Sequence, residues 1–404
     1  MQIVFIGPFG LQPKGTMSVR ALPLAKALAA RGHQVTVLIP PWDDPGRSGQ
    51  NWTDGGITVV NVELPPPGLR RWPGLFQLGL TQTLVKQALA RQPDVIHLFK
   101  PKAYAGLAHL VLRWLRRWRR LSVKLVVDAD DWEQAWNELL PYSIVQKKFF
   151  AWQETWGLSH ADAVTVASRA LAELVVTRGR GEATRVFYAP NGIDATPVSG
   201  RCRCGGSSSI SEVALPFTRN TYPTILLFSR FAEFRLERVV TLIRLVANDM
   251  PEARWLVVGR GFRSEEQRLA ALVTAAGFEA QVHFVAGWVP PEQVAVYFAA
   301  ADVAVYPYDD TLLNRTKCSV KLIDMLAAGL PVVADAVGQN CEYIQPGETG
   351  LLTPAEDDEA MAQAVIKLLQ SPELRQHLGQ AAARSLRQKF TWSRLAEIVE
   401  KAYV

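Results

Sequence analysis

The sequence predicts an α/β fold of two doubly wound, Rossmann-like domains that face an interdomain cleft. Three observations predict it: the length, the alternation of short apolar runs with helical patterns, and a break near the middle of the chain. At 404 residues the chain is long enough for two or three domains. Hydrophobic residues make up 49% and charged residues 20%, which excludes a disordered chain and a disulfide scaffold.

The first half contains short, β-branched runs without apolar–polar alternation, which is typical of parallel strands covered on both faces. Between the first two runs, Ser18–Ala30 has the apolar spacing of a helix and ends at Arg31-Gly32. The predicted strands are Ile3–Gly7, Gln34–Ile39, Val59–Leu64, Val95–Phe99, Val123–Val127 and Ala163–Val166.

Residues 195–222 interrupt this rhythm with prolines, Gly205-Gly206 and a serine run, so we expect an interdomain linker there. The alternation then restarts, which predicts domains over residues 1–194 and 223–385 and a C-terminal helix within 386–404. That helix has an apolar face that must be buried. The predicted strands of the second domain are Thr224–Ser229, Trp255–Val258, Val282–Val285, Val303–Tyr306 and Pro331–Ala334.

Charge and tryptophan are concentrated in the first half of the chain. Residues 1–200 hold 23 basic and 15 acidic residues, whereas residues 201–404 hold 21 and 23. Nine of the 12 tryptophans also lie in the first half. We therefore expect any partner recognised through basic and aromatic surface to meet the N-terminal half.

The cysteines and the N-terminus predict a cytoplasmic protein. Four thiols in a chain of this length suit a reducing compartment, and Cys202 and Cys204 have no second matched pair to complete a metal site. The N-terminal apolar run lacks a basic region before it and breaks at Gly7-Pro8, so it is interpreted as a strand. No window has 18 uninterrupted apolar residues, so no transmembrane helix is expected.

The densest polar segment lies between residues 311 and 333. Ser319 stands where it would cap a helix that ends near Ala328. Lys321 and Asp324 share one face of that helix. A helix N-terminus with a lysine suits phosphate, and a carboxylate one turn later suits a ribose diol. The alternative is an exposed Lys321–Asp324 ion pair worth less than about 1 kcal/mol.

Two arginines follow the first predicted strand of the second domain. Arg230 comes directly after Thr224–Ser229, and Arg235 comes five residues later. Arginines at the carboxyl end of a strand point into the expected cleft, where they would stabilise a diphosphate leaving group. The alternative is a charged loop in which Glu233 and Glu237 pair with them.

The N-terminal half offers two further candidates. Lys14-Gly15-Thr16 lies between the first strand and the first helix, where glycine lets the backbone approach a ligand closely. Asp128, Asp130 and Asp131 end the predicted strand Val123–Val127. These carboxylates could hold a divalent metal, supply a base with a raised pKa, or cap the following helix.

Segments 69–73 and 110–120 combine tryptophan with arginine. Basic amphipathic segments with tryptophan are typical of elements that lie at a membrane interface. A packed helix with solvated arginines is the alternative. Nucleic acid would attract the same charges, but it is the least expected partner.

Taken together, these motifs resemble glycosyltransferase family 4, whose members are retaining enzymes of the GT-B fold. The resemblance extends over nearly the whole chain. The matching segments follow the family's order: Lys14–Thr16, Ala161–Ser168, Pro190–Asp194, Ser229-Arg230 with Arg235, Val257–Gly261 and Ser319–Gly350.

The resemblance implies a metal-independent transfer with no cofactor besides a nucleoside-diphosphate sugar donor. The C-terminal domain would bind the donor, and the N-terminal domain would bind a glycan or lipid-linked acceptor at the cytoplasmic face of a membrane. The C-terminal helix would return to the N-terminal domain. The implied roles are phosphate binding for Arg230, Arg235, Gly259, Ser319 and Lys321, ribose binding for Asp324, loop approach for Gly15, and acceptor orientation for Asp130 or Asp131.

The sequence departs from the family pattern at several positions. Thr316 stands where the family often has the first glutamate of a Glu-x7-Glu motif, and Asp324 stands at the second. Lys321 matches a sub-pattern of the family, Arg235 replaces a lysine, and Asp130 replaces a histidine. Two alternatives therefore remain beside a transferase: a nucleotide-sugar 2-epimerase of the same fold, and a non-catalytic nucleotide-binding scaffold.

Overall fold

The computed structural model describes residues 1–11, 15–72, 74–179, 183–194 and 215–404. Most of the predicted linker, with Cys202 and Cys204, and Lys14 of the N-terminal loop lie outside the described residues. The chain forms two compact units. Unit 1 contains Met1–Asp194, Thr316–Cys318 and Thr391–Val404, and unit 2 contains the described part of Ala195–Arg315 together with Ser319–Phe390.

The described residues of unit 1 form an eight-stranded sheet. Its strands are β1 (Gln2–Ile6), β2 (Gln34–Ile39), β3 (Asn51–Asp54), β4 (Ile57–Asn61), β5 (Val95–Phe99), β6 (Lys124–Ala129), β7 (Ala163–Val166) and β8 (Val186–Tyr188). The strand order is β3-β4-β2-β1-β5-β6-β7-β8. All neighbours are parallel except β3, which pairs antiparallel with β4.

Helices cover both faces of this sheet. They are α1 (Leu22–Ala30), α2 (Leu75–Leu89), α3 (Ala103–Arg119), α4 (Glu133–Leu139), α5 (Ile144–His160) and α6 (Arg169–Gly179). The predicted helix Ser18–Ala30 begins as a π-helical turn, Met17–Ala21, before it continues as α1. Since the strands are parallel, α2, α3 and α5 all run from the carboxyl edge of the sheet back to its amino edge.

Unit 2 contains a six-stranded, fully parallel sheet. Its strands are β9 (Thr224–Ser229), β10 (Arg254–Gly259), β11 (Val282–Ala286), β12 (Val303–Tyr306), β13 (Val332–Asp335) and β14 (Leu351–Thr353). The order β11-β10-β9-β12-β13-β14 is that of a Rossmann fold, and the direction of winding reverses between β9 and β12. Its helices are α7 (Leu236–Asp249), α8 (Glu265–Ala275), α9 (Pro291–Ala300), α10 (Leu312–Thr316), α11 (Val320–Ala327), α12 (Asn340–Tyr343), α13 (Asp358–Gln370) and α14 (Pro372–Lys389).

The last helix, α15 (Trp392–Lys401), packs within unit 1. Leu395 and Val399 are buried in the same core cluster as residues of α1. Thr391 caps α15, and the Trp392 amide donates to the Ile193 carbonyl over 3.0 Å. The boundary expected at residue 386 is therefore wrong by a few residues, because α14 continues to Lys389 in unit 2.

Three strands were not predicted from the sequence: β3, β8 and β14. β3 lies at an edge of its sheet and is connected to β4 by a Gly55-Gly56 turn, while β8 and β14 are three-residue edge strands. Edge strands are covered less completely than central ones, so they need no continuous apolar run. The remaining predicted strands agree with the structure within three residues.

One buried ion pair connects several segments of unit 1. Arg20 donates two hydrogen bonds to Asp128 at the end of β6, over 2.8 and 2.7 Å, and both side chains are at most 1% exposed. Arg20 also donates to Asn191 Oδ1 over 3.2 Å, and Thr165 of β7 donates to Asp128 over 2.7 Å. Burial opposes the charge of Arg20, but Asp128 holds the pKa of the guanidinium above its ordinary value.

We expect Arg20→Met to lower the free energy of unfolding by about 3–5 kcal/mol, because it leaves the Asp128 carboxylate buried without its counter-ion. Urea unfolding at neutral pH measures this loss. Arg47→Met is the matched control, since the Arg47–Asp44 pair is about half exposed and its removal should cost less than about 1 kcal/mol. Equal losses in the two variants would contradict this account.

Candidate functional site

The carboxyl edge of the unit 2 sheet collects most of the predicted donor-binding residues. β9 and β10 pair in register, so that Ser229 lies beside Gly259 at their carboxyl ends. Arg230 follows β9 directly, and its side chain is exposed. In open parallel sheets, ligands bind at this edge where the winding direction reverses, which here is between β9 and β12.

Gly259 is required by packing at this edge. Its φ is +138°, and a Cβ on it would lie 2.0 Å from the Ser229 carbonyl oxygen. No side chain fits there without separating the ends of β9 and β10. The close packing of β9 and β10 thus explains this glycine, which is itself buried, and its role in phosphate binding stays a prediction.

The loop after β9, which is described throughout, does not show the alternative arrangement, in which Glu233 and Glu237 would pair with Arg230 and Arg235. Glu233 is buried and accepts hydrogen bonds from Ser229 Oγ over 3.1 Å and from the Ala232 amide over 3.0 Å. Arg235, 64% exposed, instead pairs with Glu356 over 2.7 Å and lies 3.6 Å from Asp309. Arg235 is thus a surface cation whose carboxylate partners an anionic ligand could replace.

Sequence reasoning missed Arg238, a buried arginine that binds several carboxylates at this edge. Arg238 is 3% exposed and donates to Asp335 at the end of β13 over 3.0 and 3.2 Å. It also donates to Asp309 over 3.0 Å and to Asp358 over 2.7 Å. Burial opposes the charge of Arg238, but Asp335 and Asp358 hold its pKa above the ordinary value. An arginine four residues before Leu242 on an apolar helix face was the available signal.

The segment around α11 departs from the prediction in one respect. Ser319 precedes the helix, but its side chain makes no capping hydrogen bond. Its hydroxyl contacts the Tyr306 hydroxyl, which in turn lies 3.0 Å from that of Tyr308. The predicted capping role of Ser319 is therefore wrong, because Tyr306 engages its hydroxyl. Lys321 lies with Nζ 4.2 Å from the centroid of the Phe228 ring.

Tyr306 and Tyr308 are two further polar groups that the sequence pattern concealed. Both are buried at the carboxyl end of β12, where the run of apolar residues suggested only a strand. Burial raises the pKa of both hydroxyls, so they remain protonated near neutral pH. Asp324 of α11 is half-buried on the same helix as Lys321.

In unit 1, a buried lysine lies among the carboxylates that follow β6. Lys100 Nζ is 2.8 Å from Asp130 and 3.6 Å from Asp131, and it also pairs with Glu133. The Thr16 hydroxyl donates to Asp130 over 3.0 Å. Lys100 has a φ of +57°, a left-handed conformation that costs a non-glycine residue about 1–3 kcal/mol. The sequence did not indicate this lysine.

The carboxylate cluster differs from the one predicted. Asp128 is bound to Arg20 and is not part of the cluster. The cluster contains Glu133 instead, and oxygens of Asp130, Asp131 and Glu133 lie within 4.8 Å of one another. The Lys100 ammonium already supplies positive charge at this cluster. The donor set therefore fits an internal lysine better than a resident divalent ion.

The helix-capping alternative is also wrong for these aspartates. Trp132 is the residue before α4, and its side chain provides no cap. Glu154 of α5 accepts from the amides of Glu133 and Gln134 over 2.8 and 3.0 Å instead. Burial and the charge of Glu133 raise the pKa of Glu154 to about 8, although the two amides lower it.

Two carboxyl groups of the cluster, those of Asp131 and Glu133, have very different proton affinities. Burial raises the pKa of Asp131 to about 6, with Asp130 and Glu133 adding to the effect and Lys100 opposing it. Burial also acts on Glu133, but Lys100 and Lys102 bring its pKa down to about 2. Of these two groups, Asp131 therefore has the pKa closer to neutral pH.

Gly15 directly precedes Thr16, whose hydroxyl donates to Asp130 of this cluster. A Cβ on Gly15 would lie 3.6 Å from Val19 Cγ1, which is an ordinary contact. Nothing among the described neighbours therefore requires glycine at this position. Its predicted role in approaching a ligand stays a prediction.

The two Trp/Arg segments lie at opposite edges of the unit 1 sheet. Segment 69–73, described except for Pro73, precedes α2 at the carboxyl side, and its Trp72 is 65% exposed. Segment 110–120 ends α3 at the amino edge, where Trp114 and Trp118 are exposed with ring centroids 5.5 Å apart. Arg116 there donates to Asp162 over 3.0 Å and to the Val123 carbonyl over 3.2 Å, so it stabilises the fold.

Comparison with known proteins gives consistent matches along the chain. Residues 15–192 match the family model of a glycosyl transferase 4-like domain, and residues 222–371 match that of glycosyl transferases group 1. The phosphatidyl-myo-inositol mannosyltransferase of Mycobacterium leprae is 25% identical, over 100% of this chain and 96% of that protein. Within the described residues, no helix combines the length and the apolar character that a membrane crossing requires.

Solved structures show the same fold. Sucrose-phosphate synthase from Thermosynechococcus elongatus superposes with a TM-score of 0.74 at 21% identity, over 100% of this chain and 98% of that one. HepE from Anabaena, solved in complex with UDP and glucose, gives a TM-score of 0.67 at 19% identity, over 99% of this chain and 98% of that one.

The raised pKa of Glu154 predicts a pH-dependent stability. Between about pH 4.5 and 8 the folded chain keeps a proton that the unfolded chain has released, so stability falls as pH rises through this window. Glu154→Gln should remove this term, which has a slope of up to about 1.4 kcal/mol per pH unit. Its stability relative to the wild type should therefore increase from pH 5 to pH 8 in urea unfolding.

Glu138→Gln is the matched control, because Glu138 is exposed. Its unfolding free energy should follow the wild type across the same pH range. Parallel curves for Glu154→Gln and the wild type would contradict the assigned proton affinity.

Proposed function

Because the chain belongs to glycosyltransferase family 4 and is a glycosyltransferase, we propose that it transfers a sugar from a nucleoside-diphosphate sugar to an acceptor hydroxyl, with retention of configuration. Unit 2 binds the donor and unit 1 binds the acceptor. The observation that carries this proposal is the exposed guanidinium of Arg230 at the end of β9, beside the reversal point of the unit 2 sheet. HepE, solved with UDP and glucose, supports a nucleotide-sugar donor.

The diphosphate of the donor lies across the carboxyl edge of unit 2. Gly259 ends β10 at this edge, and Arg230 and Lys321 bring positive charge. Arg235 exchanges its Glu356 partner for a phosphate oxygen. Asp324, one turn after Lys321, accepts hydrogen bonds from the ribose diol, as acidic residues do in dinucleotide sites.

The bond between the anomeric carbon and the leaving phosphate oxygen breaks while the acceptor oxygen forms its bond on the same face. Negative charge grows on the diphosphate, and Arg230 and Arg235 stabilise it more strongly in the transition state than in the bound donor. The leaving phosphate oxygen takes the acceptor proton. This route needs neither a protein nucleophile nor a metal ion.

On the acceptor side, Asp131 is the carboxylate that orients the acceptor hydroxyl. Asp130 is engaged by Lys100 and Thr16, whereas Asp131 is 3.6 Å from Lys100 and more exposed. The relative named phosphatidyl-myo-inositol mannosyltransferase supports a lipid-linked acceptor. We place the reaction at the cytoplasmic face of a membrane, where such an acceptor presents its hydroxyls.

A thermal-shift series with nucleoside diphosphates and their sugars, with and without EDTA, tests this function. A ligand at 100 times its dissociation constant stabilises the protein by about 2.7 kcal/mol. We expect one nucleotide to raise the melting temperature equally with and without EDTA. In a separate activity assay, we expect the matching nucleotide sugar to transfer its sugar to an acceptor. Consumption of the donor without an acceptor would indicate the epimerase, and binding without turnover would indicate the scaffold. Loss of the shift in EDTA would contradict metal independence.

Arg230→Ala should lower kcat/KM by about a hundredfold, equivalent to about 3 kcal/mol of transition-state stabilisation, because the leaving diphosphate loses one cation. Steady-state kinetics with the donor identified above measures this loss. Arg244→Ala is the matched control, since Arg244 is an exposed arginine in the interior of α7. Turnover near the wild-type value in Arg230→Ala would show that the leaving-group site is elsewhere.

A further inference from the structure

The first half of α5 exposes large apolar side chains at the carboxyl side of unit 1. Ile144 is 74% exposed, Val145 77%, Phe149 40% and Trp152 48%. The rings of Phe149 and Trp152 stack with centroids 5.9 Å apart. A cluster of this kind on a protein surface marks an interaction site rather than scattered exposure. We call these four side chains the α5 surface.

The α5 surface adjoins the carboxylate cluster of unit 1. Lys102, which pairs with Glu133 over 3.1 Å, lies with Nζ 4.9 Å from the Tyr142 ring centroid and 5.0 Å from that of Phe150. Tyr142 and Phe150 are neighbours of the α5 surface along the chain, and their rings are 5.2 Å apart. An uninterrupted path of contacts thus connects the cluster that holds Asp131 to the exposed apolar side chains.

The charge of this segment indicates what covers the surface. Residues 144–153 contain Lys147 and Lys148 and no acidic residue. Lys148 is exposed, and Lys147 reaches Glu138 over 2.8 Å. Apolar and aromatic side chains interleaved with lysines are complementary to a bilayer that has anionic headgroups.

A second element presents the same character at the same edge. Trp72 before α2 is 65% exposed, and Leu75 and Leu78 in its first turn are 46% and 59% exposed. α2 and α5 both pack against α3 and both begin at the carboxyl edge. Trp114 and Trp118, by contrast, lie where α3 ends, at the opposite edge of the sheet.

We propose that the α5 surface docks unit 1 on an anionic lipid bilayer. The apolar side chains insert among the acyl chains, and the exposed Lys148 contacts the headgroups. Docking through this edge brings the plane of the headgroups to the side of unit 1 that carries Asp131. The bilayer contact is independent of the transfer chemistry, but the benefit for a lipid-linked acceptor rests on the proposed function.

Sedimentation with phosphatidylcholine vesicles, with and without phosphatidylglycerol, tests the proposal. We expect the full chain to bind the anionic vesicles. The double variant Ile144→Ser/Val145→Ser should bind them at least about tenfold more weakly. Both residues are mainly exposed, so the variant should keep the wild-type circular dichroism and melting temperature. Trp114→Ser/Trp118→Ser is the matched control and should bind like the wild type.

Equal vesicle binding by Ile144→Ser/Val145→Ser and the wild type would overturn the proposal, as would loss of binding in the control alone. Equal binding to neutral and anionic vesicles would overturn the assigned role of Lys148. A wild-type dimer that the α5 variant converts to a monomer would identify the surface as a contact between two copies instead. Nucleotide-induced thermal shifts in the same variant separate these outcomes from a failure of the proposed function.

Discussion

The buried ion pair between Arg20 and Asp128 is the interaction on which the carboxyl edge of unit 1 depends. Two charges that are almost fully buried are stable only as a hydrogen-bonded pair. The pair holds the end of β6 to the turn before α1, and Arg20 continues to Asn191 after β8. Asp130 follows Asp128 by two residues, so its position is fixed by the same contacts. Unit 2 repeats the arrangement with Arg238 and Asp335.

Each unit therefore builds a rigid edge from buried charge and leaves other charges available for chemistry. In unit 2, the buried Arg238 binds three carboxylates, while Arg230 and Arg235 are exposed. In unit 1, Lys100 balances its carboxylate neighbours. Burial and these neighbouring charges give Asp131 a raised pKa and Glu133 a lowered one. Two similar carboxyl groups can therefore have different roles.

The proposed bilayer contact follows from the direction of the helices. A parallel sheet requires α2, α3 and α5 to begin at the carboxyl edge, where ligands bind, and to end at the amino edge. Tryptophans at the beginning of such a helix are thus close to the site, and those at its end are far from it. The amphipathic pattern of segment 110–120 is strong, but Arg116 packs against Asp162, and the segment ends at the far edge.

The sequence by itself determined the two α/β units and most of their parallel strands, because a strand covered on both faces must be apolar at every position. It also determined the places of Arg230 and Gly259, since residues that follow parallel strands lie at one edge. Only the tertiary structure decided the partners of Arg238, Lys100 and Glu154, and the direction in which the Ser319 hydroxyl points. Those contacts join residues far apart in sequence, and the burial that shifts their proton affinities exists only after the chain has folded.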